Sequence, residues 1–399
     1  MKGKKIVLGV TGGIAAYKAA ELARLLVKAG AEVRVAMTQH ATKFVAPLTF
    51  EALSGNKVVS DMWGPQTAPM DHIRMGQDAD LIIVAPATAN FIGKLAHGIS
   101  DDFLSTMALA STAGILLCPA MNSQMYRNPA VQDNLRVLKG RGCTVMDPGE
   151  GDLACRTEGP GRLPEPPDIL EEALALVTRK DFSGLRVLVT AGPTVEPIDP
   201  VRYITNRSTG KMGFAMARAA RMRGAEVTLV SGPTHLKPPA GVSLVSVKTA
   251  EEMRESVFEK SRRCEVIIKA AAVLDYRPRE KASQKIKKTE GIQTLELVRN
   301  PDILGELGRT KGVTRCLLVG FAAETQDLAG HAAEKLKRKN LDLIIGNDVS
   351  RPDAGFEADT NAVKLLYRDG RVEDLPLATK EDIANRVLDR IKQLWETSS

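Results

Sequence analysis

The stretch IVLGVTGGIAAYKAAELARLLVKAGAEVRVAM, Ile6 to Met37, decides the fold of this 399-residue chain. It reads as a β-branched run, a glycine-rich loop, an alanine-rich amphipathic run and a second β-branched run, which predicts strand, loop, helix and strand. A second copy begins past the middle of the chain, where VLVTAGPT (Val187–Thr194) leads, after an insertion, into TGKMGFAMARAARMRGAEVTLVSG (Thr209–Gly232). The tetrapeptide Gly-Ala-Glu-Val closes the helical run of both copies. The repetition predicts two α/β domains.

A strand that feeds a glycine-rich loop and a helix is suited to bind an anion. The unpaired N–H groups at the helix N-terminus and the helix dipole point at one spot. Each copy is therefore expected to hold a phosphorylated ligand. We predict a first domain over residues 1–180, a linker at Lys180–Gly184 and a second domain over residues 185–399.

The alternation of strands and helices predicts a parallel sheet with helices on both faces in each domain. The predicted strands of the first domain are Lys5–Val10, Glu32–Met37, Leu81–Ala85, Ile115–Pro119 and Thr144–Met146. Those of the second domain are Arg186–Thr190, Val227–Val230, Leu244–Val247, Val266–Ala270, Cys316–Gly320, Leu343–Gly346 and Val363–Tyr367. Two further helices are predicted, one at Asp168–Thr178 with Asp168 as its N-cap and one at Lys380–Leu394.

The composition is that of a soluble globular protein, with 44% hydrophobic and 26% charged residues. The longest uncharged stretch, Phe103–Met121, contains hydroxyl residues, a glycine and a proline, and is predicted to form helix, turn and strand rather than a membrane span. The five cysteines include no Cys-x-x-Cys pair, which favours a cytoplasmic location. No His/Cys spacing is typical of a zinc site, and no metal ligand is assigned.

The net charge is +7, and the basic excess is concentrated in Arg277–Lys288 and Glu334–Asn340. Binding of nucleic acid would need basic residues interleaved with stacking aromatic residues, but aromatic residues are only 4% of the chain. The charge pattern therefore favours small anionic substrates over nucleic acid.

Three segments of the first domain are expected at the carboxyl edge of its sheet, where open α/β sheets bind ligands. The first is the loop GVTGGIAAYK, Gly9–Lys18, which is neither a G-x-G-x-x-G fingerprint nor a P-loop. APATAN (Ala85–Asn90) and PAMNSQMY (Pro119–Tyr126) each follow a predicted strand. Their small residues let backbone approach a ligand closely, and their hydroxyl and amide groups offer hydrogen bonds.

These segments, together with MDHIRM around His72, ISDDFLS (Ile99–Ser105) and LACRTEGPGR (Leu153–Arg162), resemble the FMN-dependent cysteine decarboxylases. The first domain resembles phosphopantothenoylcysteine decarboxylase over its whole length. The resemblance implies a flavodoxin-like three-layer fold that binds FMN. The residues expected to bind FMN by this resemblance are Gly12, Gly13, Ile14, Thr38, Thr88 and Asn90.

The resemblance also assigns catalytic roles. A cysteine carboxylate has no place to put electrons when CO2 leaves, and oxidation of the thiol to a thioaldehyde by the flavin creates one. His72 is implied as the catalytic base or carboxylate-side partner, and Asn122 as the group that binds the substrate carboxylate. Cys155 would protonate the enethiolate. Arg156 and Thr157 follow Cys155 where the family usually has Gly and an acidic residue.

The second domain carries AGPTVEPIDPVRYITNRSTGKMG (Ala191–Gly213), whose end is predicted to form a phosphate cradle before a helix. KAAAVLDYRP, KIKK, NPDIL, GFAAET and KRKNLDLIIGNDV follow in this order, starting at residues 269, 285, 300, 320 and 337. The set resembles phosphopantothenate–cysteine ligase over the whole domain and implies a Rossmann-like nucleotide-binding fold.

That resemblance implies activation of a carboxylate by CTP, with Mg2+, to an acyl-cytidylate that cysteine then attacks. Phosphate contacts are implied for Lys285, Lys335 and Lys339, and alignment of the acyl-cytidylate for Asn206. Lys337 and Arg338 are expected to be solvated. The other residues implied in CTP binding are Asp275, Pro301, Asp302, Ile303 and Leu304 for ribose and base, and Ala271 and Phe321 as pocket lining.

The sequence thus predicts a bifunctional enzyme of coenzyme A biosynthesis. Its implied substrates are 4′-phosphopantothenate, L-cysteine and CTP, and the resemblance implies trimeric decarboxylase contacts and dimeric ligase contacts, which are compatible with a dodecamer. Two alternatives stay open at this point. One is a flavin-dependent decarboxylase fused to an NAD(P)-binding reductase domain. The other is a flavin-binding regulatory or nucleic-acid-associated protein that uses the patch Arg277–Lys288.

Overall fold

The chain forms two compact units, Met1–Thr178 and Arg179–Ser399, in a computed structural model. The structure describes residues 1–64, 68–152, 158–287, 294–311, 316–324, 328–348, 355 and 357–397. Across these ranges, no helix combines the length and the apolar character needed to cross a membrane.

Unit 1 is a five-stranded parallel sheet with helices on both faces. Its elements are β1 Lys5–Val10, α1 Ala16–Lys28, β2 Glu32–Met37, a 3₁₀ turn Ala41–Lys43, α2 Pro47–Ser54, α3 Asp71–Asp78, β3 Leu81–Ala87, α4 Ala89–His97, α5 Phe103–Ala110, β4 Gly114–Pro119, α6 Ser123–Arg127, α7 Pro129–Gly140, β5 Thr144–Val145, β6 Gly149–Asp152, β7 Glu158–Arg162 and α8 Pro166–Val177. The strand order β2-β1-β3-β4-β5 is the flavodoxin-like order, which confirms the predicted fold class.

The apolar runs of unit 1 explain the sheet, because β3 is buried along its whole length and β1 from its second residue onward. Strands covered on both faces need continuous apolar runs rather than alternation. The predicted Asp168 N-cap is wrong. Helix α8 begins at Pro166, with Glu165 as the N-cap residue, because proline supplies helical φ at the first positions of a helix.

Unit 2 is built on an eight-stranded sheet. Its elements are β8 Arg186–Ala191, β9 Val195–Pro197, β10 Tyr203–Thr205, α9 Lys211–Met222, β11 Glu226–Ser231, β12 Ser243–Ser246, α10 Ala250–Ser261, β13 Val266–Lys269, β14 Tyr276–Pro278, β15 Leu297–Arg299, α11 Ile303–Thr310, β16 Leu317–Glu324, α12 Leu328–Arg338, β17 Leu343–Asp348, β18 Thr360–Tyr367, β19 Val372–Thr379 and α13 Lys380–Thr397. The sheet runs in the order β12-β11-β8-β13-β16-β17-β18-β19. Its first six strands have the Rossmann order 3-2-1-4-5-6, and this confirms the predicted second α/β domain.

Strand β19 was not predicted from the sequence. It pairs antiparallel with β18, which itself pairs antiparallel with β17. Its sequence VEDLPLAT contains charges and a proline, which mark an edge strand and weaken the strand signal. The repeated Gly-Ala-Glu-Val segments behave as predicted, because Gly30 and Gly224 end their helices with φ of 86° and 93°.

Candidate functional sites

A cavity of about 870 Å³ opens at the carboxyl edge of the unit 1 sheet. Loops after β1 and β3 line it, and these are the neighbouring strands at which the strand order reverses. Seven residues singled out from the sequence line this cavity: Gly12, Gly13, Ile14, Thr38, Thr88, Asn90 and Asn122. The structure thus brings three separate sequence motifs to one site.

The glycine-rich loop offers hydrogen-bond donors to this cavity. Within the described parts of the chain, the N–H groups of Gly12, Ile14 and Ala15 donate to no protein acceptor. Helix α1 starts at the next residue, and its N-terminus has no side-chain cap. Three backbone donors at the positive end of a helix form an anion site.

Thr11 joins the loop to APATAN. Its hydroxyl donates to the carbonyl of Pro86 at 2.7 Å and accepts from the N–H of Thr88 at 3.1 Å. Packing explains why residue 12 is a glycine, because a Cβ there would lie 2.4 Å from the Cβ of His40. Any side chain at position 12 would push the residue 40 loop outward and reshape the cavity wall.

The predicted catalytic residues of unit 1 do not all meet in this cavity. Asn122 does, and its Oδ1 accepts from the N–H of Gln124 at 2.9 Å, which fixes the orientation of its amide. His72 is half-buried near the start of α3, which packs against α5, and it does not line the cavity. Cys155 falls between β6 and β7 in the sequence and lies outside the described residues, as do Arg156 and Thr157.

The motif ISDDFLS was assigned no role from the sequence, and Lys94 was not predicted as a site residue. Lys94 lines the cavity and forms ion pairs with Asp101 at 2.7 Å and Asp102 at 3.2 Å. Burial lowers the pKa of Lys94, but the hydrogen bonds to both carboxylates outweigh it and raise the pKa above its ordinary value. The signal was present in the sequence as two adjacent acidic residues, but their cation stands one helix earlier.

A second cavity, of about 640 Å³, opens at the switch point of the unit 2 sheet, between the loops that follow β8 and β13. Nine residues singled out from the sequence line it: Ala271, Asp275, Pro301, Asp302, Ile303, Leu304, Phe321, Lys335 and Lys339. The loop Ser208–Gly213, predicted as a phosphate cradle, lines it as well. Arg338 is exposed, as expected, but also borders the cavity and pairs with Glu334.

The cradle ends at an uncapped helix. Gly210 is the N-cap residue of α9, has φ of 81° and gives no side-chain cap. The first N–H groups of α9 therefore have no intrahelical acceptor and face the cavity end formed by this loop. Gly213 brings the helix against β8, because a Cβ there would lie 2.5 Å from the Cβ of Ala191.

Asp302 and Lys339 form an ion pair at 2.7 Å on the opposite side of the cavity. Asp302 also accepts from the N–H of Gly305 and caps α11. Burial raises the pKa of Asp302, but the hydrogen bonds from Lys339 and Gly305 outweigh it and hold the pKa below the ordinary value. The carboxylate is therefore ionised and keeps Lys339 in place.

Asn206 and Lys285 do not line the cavity. Asn206 donates to the carbonyl of Ala272, a lining residue, at 3.0 Å. Lys285 is exposed beside Ile286, whose N–H donates to buried Asp199 at 3.1 Å. Asp199 also binds the Arg202 guanidinium at 2.6 Å, and that guanidinium donates to the Ile286 carbonyl. This network fixes the backbone that carries Lys285.

Several lining residues were missed. Lys211 and Lys380 begin α9 and α13, and Asn347 and Asn361 lie in β17 and β18 with Oδ1 atoms that are buried and have no hydrogen-bond partner. Lys269 ends β13 and is only 9% exposed. Three of them lie in motifs quoted from the sequence, but none was assigned a role of its own: Lys211 in the cradle Ser208–Gly213, Lys269 in KAAAVLDYRP and Asn347 in KRKNLDLIIGNDV. Among the described residues, no cluster of three or more His, Cys, Asp or Glu side chains could hold a metal ion.

The two sheet orders and their switch-point cavities define a fused pair of α/β domains, a flavodoxin-like one followed by a Rossmann-like one. Comparison with known families agrees with this division. Residues 1–178 match the Flavoprotein family, and residues 182–394 match the DNA/pantothenate metabolism flavoprotein C-terminal domain. The chain belongs to the family of coenzyme A biosynthesis bifunctional proteins, as its full-length relatives show.

One relative is the coenzyme A biosynthesis bifunctional protein CoaBC of Vibrio cholerae, which is 47% identical over 396 residues, 98% of this chain and 99% of that protein. The protein of the same name from Bacillus subtilis is 48% identical over 399 residues, 99% and 98% of the two chains. Among solved structures, the C-terminal domain of a CoaBC protein is 43% identical, with a TM-score of 0.47, and covers 55% of this chain and 99% of that one.

Proposed function

We propose that the chain makes 4′-phosphopantetheine in two steps, one on each unit. Unit 2 joins cysteine to 4′-phosphopantothenate with CTP, and unit 1 decarboxylates the product with FMN. The observation that carries the proposal is the assembly of the family motifs at two separate switch-point cavities in a chain that its relatives match from end to end. The match of unit 2 to the pantothenate metabolism domain favours the ligase over an NAD(P)-binding reductase.

The unit 1 cavity fits FMN in size and in donors. Its volume of about 870 Å³ is within the range of cofactor pockets, which is roughly 300–1,000 Å³. The N–H groups of Gly12, Ile14 and Ala15 would hold the phosphate at the start of α1. Thr38, Thr88 and Asn90 line the same wall and would contact the rest of the cofactor. When bound, FMN supplies a two-electron acceptor that opens the route to CO2 loss and later returns the electrons.

The residues of unit 1 supply binding and proton transfer. Asn122 would hold the substrate carboxylate through its amide, whose orientation the bond from Gln124 fixes. Cys155 would donate a proton to the enethiolate carbon left after CO2 departs. His72 is proposed to act in the cavity of a neighbouring subunit. Its absence from the cavity of its own chain and the trimeric contact expected for decarboxylases of this kind support this role.

In unit 2, the carboxylate oxygen of phosphopantothenate would attack the α-phosphorus of CTP, and pyrophosphate would leave. The uncapped start of α9 and the loop Ser208–Gly213 would bind phosphate oxygens. Lys285, held beside Ile286 by Asp199, would offset the charge that develops on the leaving group. Since the described residues offer no acidic cluster, Mg2+ would enter on the triphosphate rather than in a cage of side chains.

The second step of the ligase breaks the acyl-cytidylate. The cysteine amine would attack the acyl carbon, CMP would leave, and the new amide nitrogen would lose a proton. Asn206 is proposed to fix this geometry, because its bond to the Ala272 carbonyl ties the segment before the cradle to the cavity wall. The opposite end of the cavity, with Asp302 and the turn at Pro301–Leu304, would hold ribose and base. Lys339, which the resemblance implied as a phosphate contact, is paired with Asp302 at this end and would keep that carboxylate in place.

One experiment tests both halves. Purified protein is mixed with phosphopantothenate, cysteine, CTP and Mg2+, and pyrophosphate and CO2 are followed together. Equal amounts of both are expected, with pyrophosphate appearing first. Pyrophosphate without CO2 in FMN-loaded protein would contradict the decarboxylase assignment. CO2 release from added phosphopantothenoylcysteine by a protein that forms no pyrophosphate from phosphopantothenate, cysteine and CTP would contradict the ligase assignment.

A further inference from the structure

Lys269 is a buried ammonium with no partner among the residues that the structure describes. It is the last residue of β13, it lines the unit 2 cavity and only 9% of it is exposed. Within the described ranges, its Nζ has no hydrogen-bond acceptor and no carboxylate within ion-pair distance. Buried charged groups are normally paired, because desolvation is costly. An unpaired cation that faces a cavity indicates that a ligand supplies the missing acceptor.

The position of Lys269 along the strand tells which end of the cavity it serves. Side chains alternate across a sheet, so Lys269 is on the face of Ile267, not of Ile268. Ile267 packs with residues of α11 and α12, whereas Ile268 packs with residues of α9 and α13. Lys269 is therefore on the side of Asp302 and Lys339, across the sheet from the phosphate cradle that opens α9.

The carboxylates at this end favour a polar ligand group other than phosphate. Asp302 and Asp275, the two carboxylates that act on Lys269 electrostatically, would repel a phosphate there, although Lys335 and Lys339 line the same cavity. Lys339 is already bound to Asp302 at 2.7 Å, so the hydrogen-bonding capacity left over is that of Lys269. Burial, followed by the repulsion of Lys339, lowers the pKa of Lys269 to about 8, so most of it is protonated at neutral pH. The nearby side chains of Ile303 and Leu304 add apolar surface for a ring.

We propose that Lys269 is a specificity-determining residue that donates to the adjacent acceptors of the cytosine ring, the N3 nitrogen and the O2 carbonyl oxygen. The inference rests on the proposed ligase function and deepens it by naming the group that reads the base. Uracil carries an N–H at N3, so it places a donor against the ammonium where cytosine offers an acceptor. Lys269 therefore favours CTP over UTP, while the triphosphate contacts at the start of α9 are the same for both nucleotides.

The test compares kcat/KM for CTP and for UTP, measured by pyrophosphate release, in the wild type and in two variants. Lys269→Met replaces the ammonium by an apolar chain of similar length. Lys337→Met is the matched control, because Lys337 is exposed on α12 and does not line the cavity. For Lys269→Met we expect kcat/KM with CTP to fall by roughly 10- to 100-fold, mainly through KM, as for loss of a charged hydrogen bond. Activity with UTP should change much less, so the CTP to UTP ratio collapses, and Lys337→Met should keep the wild-type ratio.

A fall of equal size with both nucleotides would overturn the proposal, since it would show that Lys269 binds phosphate. An unchanged CTP to UTP ratio in a folded variant would overturn it as well. Decarboxylation of added phosphopantothenoylcysteine reports on unit 1, and circular dichroism on the fold of the variant. If wild-type protein cleaves no CTP, the proposed ligase function fails instead, so the two failures are distinguishable.

A measurement on the wild type alone keeps the proposal testable if Lys269→Met does not fold. The CTP to UTP ratio should fall as pH rises through about 8, because Lys269 loses the proton that strengthens its donation. The charged groups that face it are Lys335 and Lys339 from the α12 side, Asp302 before α11 and Asp275 after β13. A ratio that stays constant up to the pH at which uracil itself ionises would overturn the proposal.

Discussion

Replacement of Gly213 by alanine tests whether the position of the α9 N-terminus sets ligase activity. An added Cβ would lie 2.5 Å from the Cβ of Ala191 and 3.0 Å from the carbonyl oxygen of Thr190, both on β8. These atoms belong to a buried strand and to a methyl group that cannot rotate away. To reach ordinary van der Waals contact, the first turn of α9 has to move by about 1 Å.

Two effects of the substitution oppose each other. Overpacking of a core costs about 1–3 kcal/mol, and alanine is better than glycine in a helix by about 1 kcal/mol. The net destabilisation is therefore about 0–2 kcal/mol, which lowers the Tm of a unit of this size by at most roughly 8 °C. The loss of activity should be larger in free energy, because misplacement of a binding group by about 1 Å reduces a rate by roughly 100-fold.

The assay is pyrophosphate release, with decarboxylation by unit 1 as the internal control. Ala191→Gly removes the nearest clashing atom, so the double variant Ala191→Gly with Gly213→Ala should recover part of the lost rate. Gly93→Ala, in α4, meets only an ordinary contact of 3.6 Å and serves as the control for the helix effect. Wild-type pyrophosphate release by Gly213→Ala, or no recovery in the double variant, would refute the reasoning.

Four further predictions concern single side chains. Lys94→Met should leave the carboxylates of Asp101 and Asp102 uncompensated on the wall of the cavity proposed to hold FMN, and weaken binding of this anionic cofactor by roughly 10-fold in a fluorescence titration, whereas Lys139→Met on α7 should not. Cys155→Ser should still release CO2 but accumulate the unreduced enethiol, seen by mass spectrometry, because a hydroxyl is a poor acid; phosphopantetheine at the wild-type rate would contradict this role. Lys285→Gln should slow pyrophosphate release by more than ~100-fold, since one charge-stabilising group contributes roughly 3 kcal/mol. Asn206→Asp should instead release pyrophosphate once and trap acyl-cytidylate, and its absence in a quenched reaction would disprove the assignment.

The sequence predicted those parts of the two candidate sites that are formed by backbone groups. Glycine-rich loops after a strand have a common geometry, and Gly12, Gly13 and the cradle at Ser208–Gly213, all predicted to bind phosphorylated ligands, line the two cavities. The strands that were not predicted are the edge strand β19, which contains charges and a proline, and the short strands of the three two-stranded sheets, β6–β7, β9–β10 and β14–β15. For the glycine-rich loops, the local sequence pattern is enough to predict the position in the fold.

Side chains that reach a site from distant elements left no such signal. Lys94 acquires its place from an ion pair with Asp101, and Lys269 from the alternation of a strand whose other residues are apolar. His72 is the reverse case. It lies in a specific motif, MDHIRM, but it does not line the cavity of its own chain. Motif spacing reports chain order, whereas these positions depend on packing and on assembly.

The antiparallel pair β18–β19 and helix α13 change how the C-terminal end of unit 2 should be regarded. The six parallel strands already form a complete nucleotide-binding sheet, yet Asn361 of β18 and Lys380 of α13 face its cavity. Helix α13 also packs along α9, where Arg223 meets Asp389 at 2.8 Å. The ligase site is thus a general nucleotide-binding core closed by a wall that only this C-terminal addition supplies. Substitutions in that wall should therefore alter the cavity without disturbing the six parallel strands.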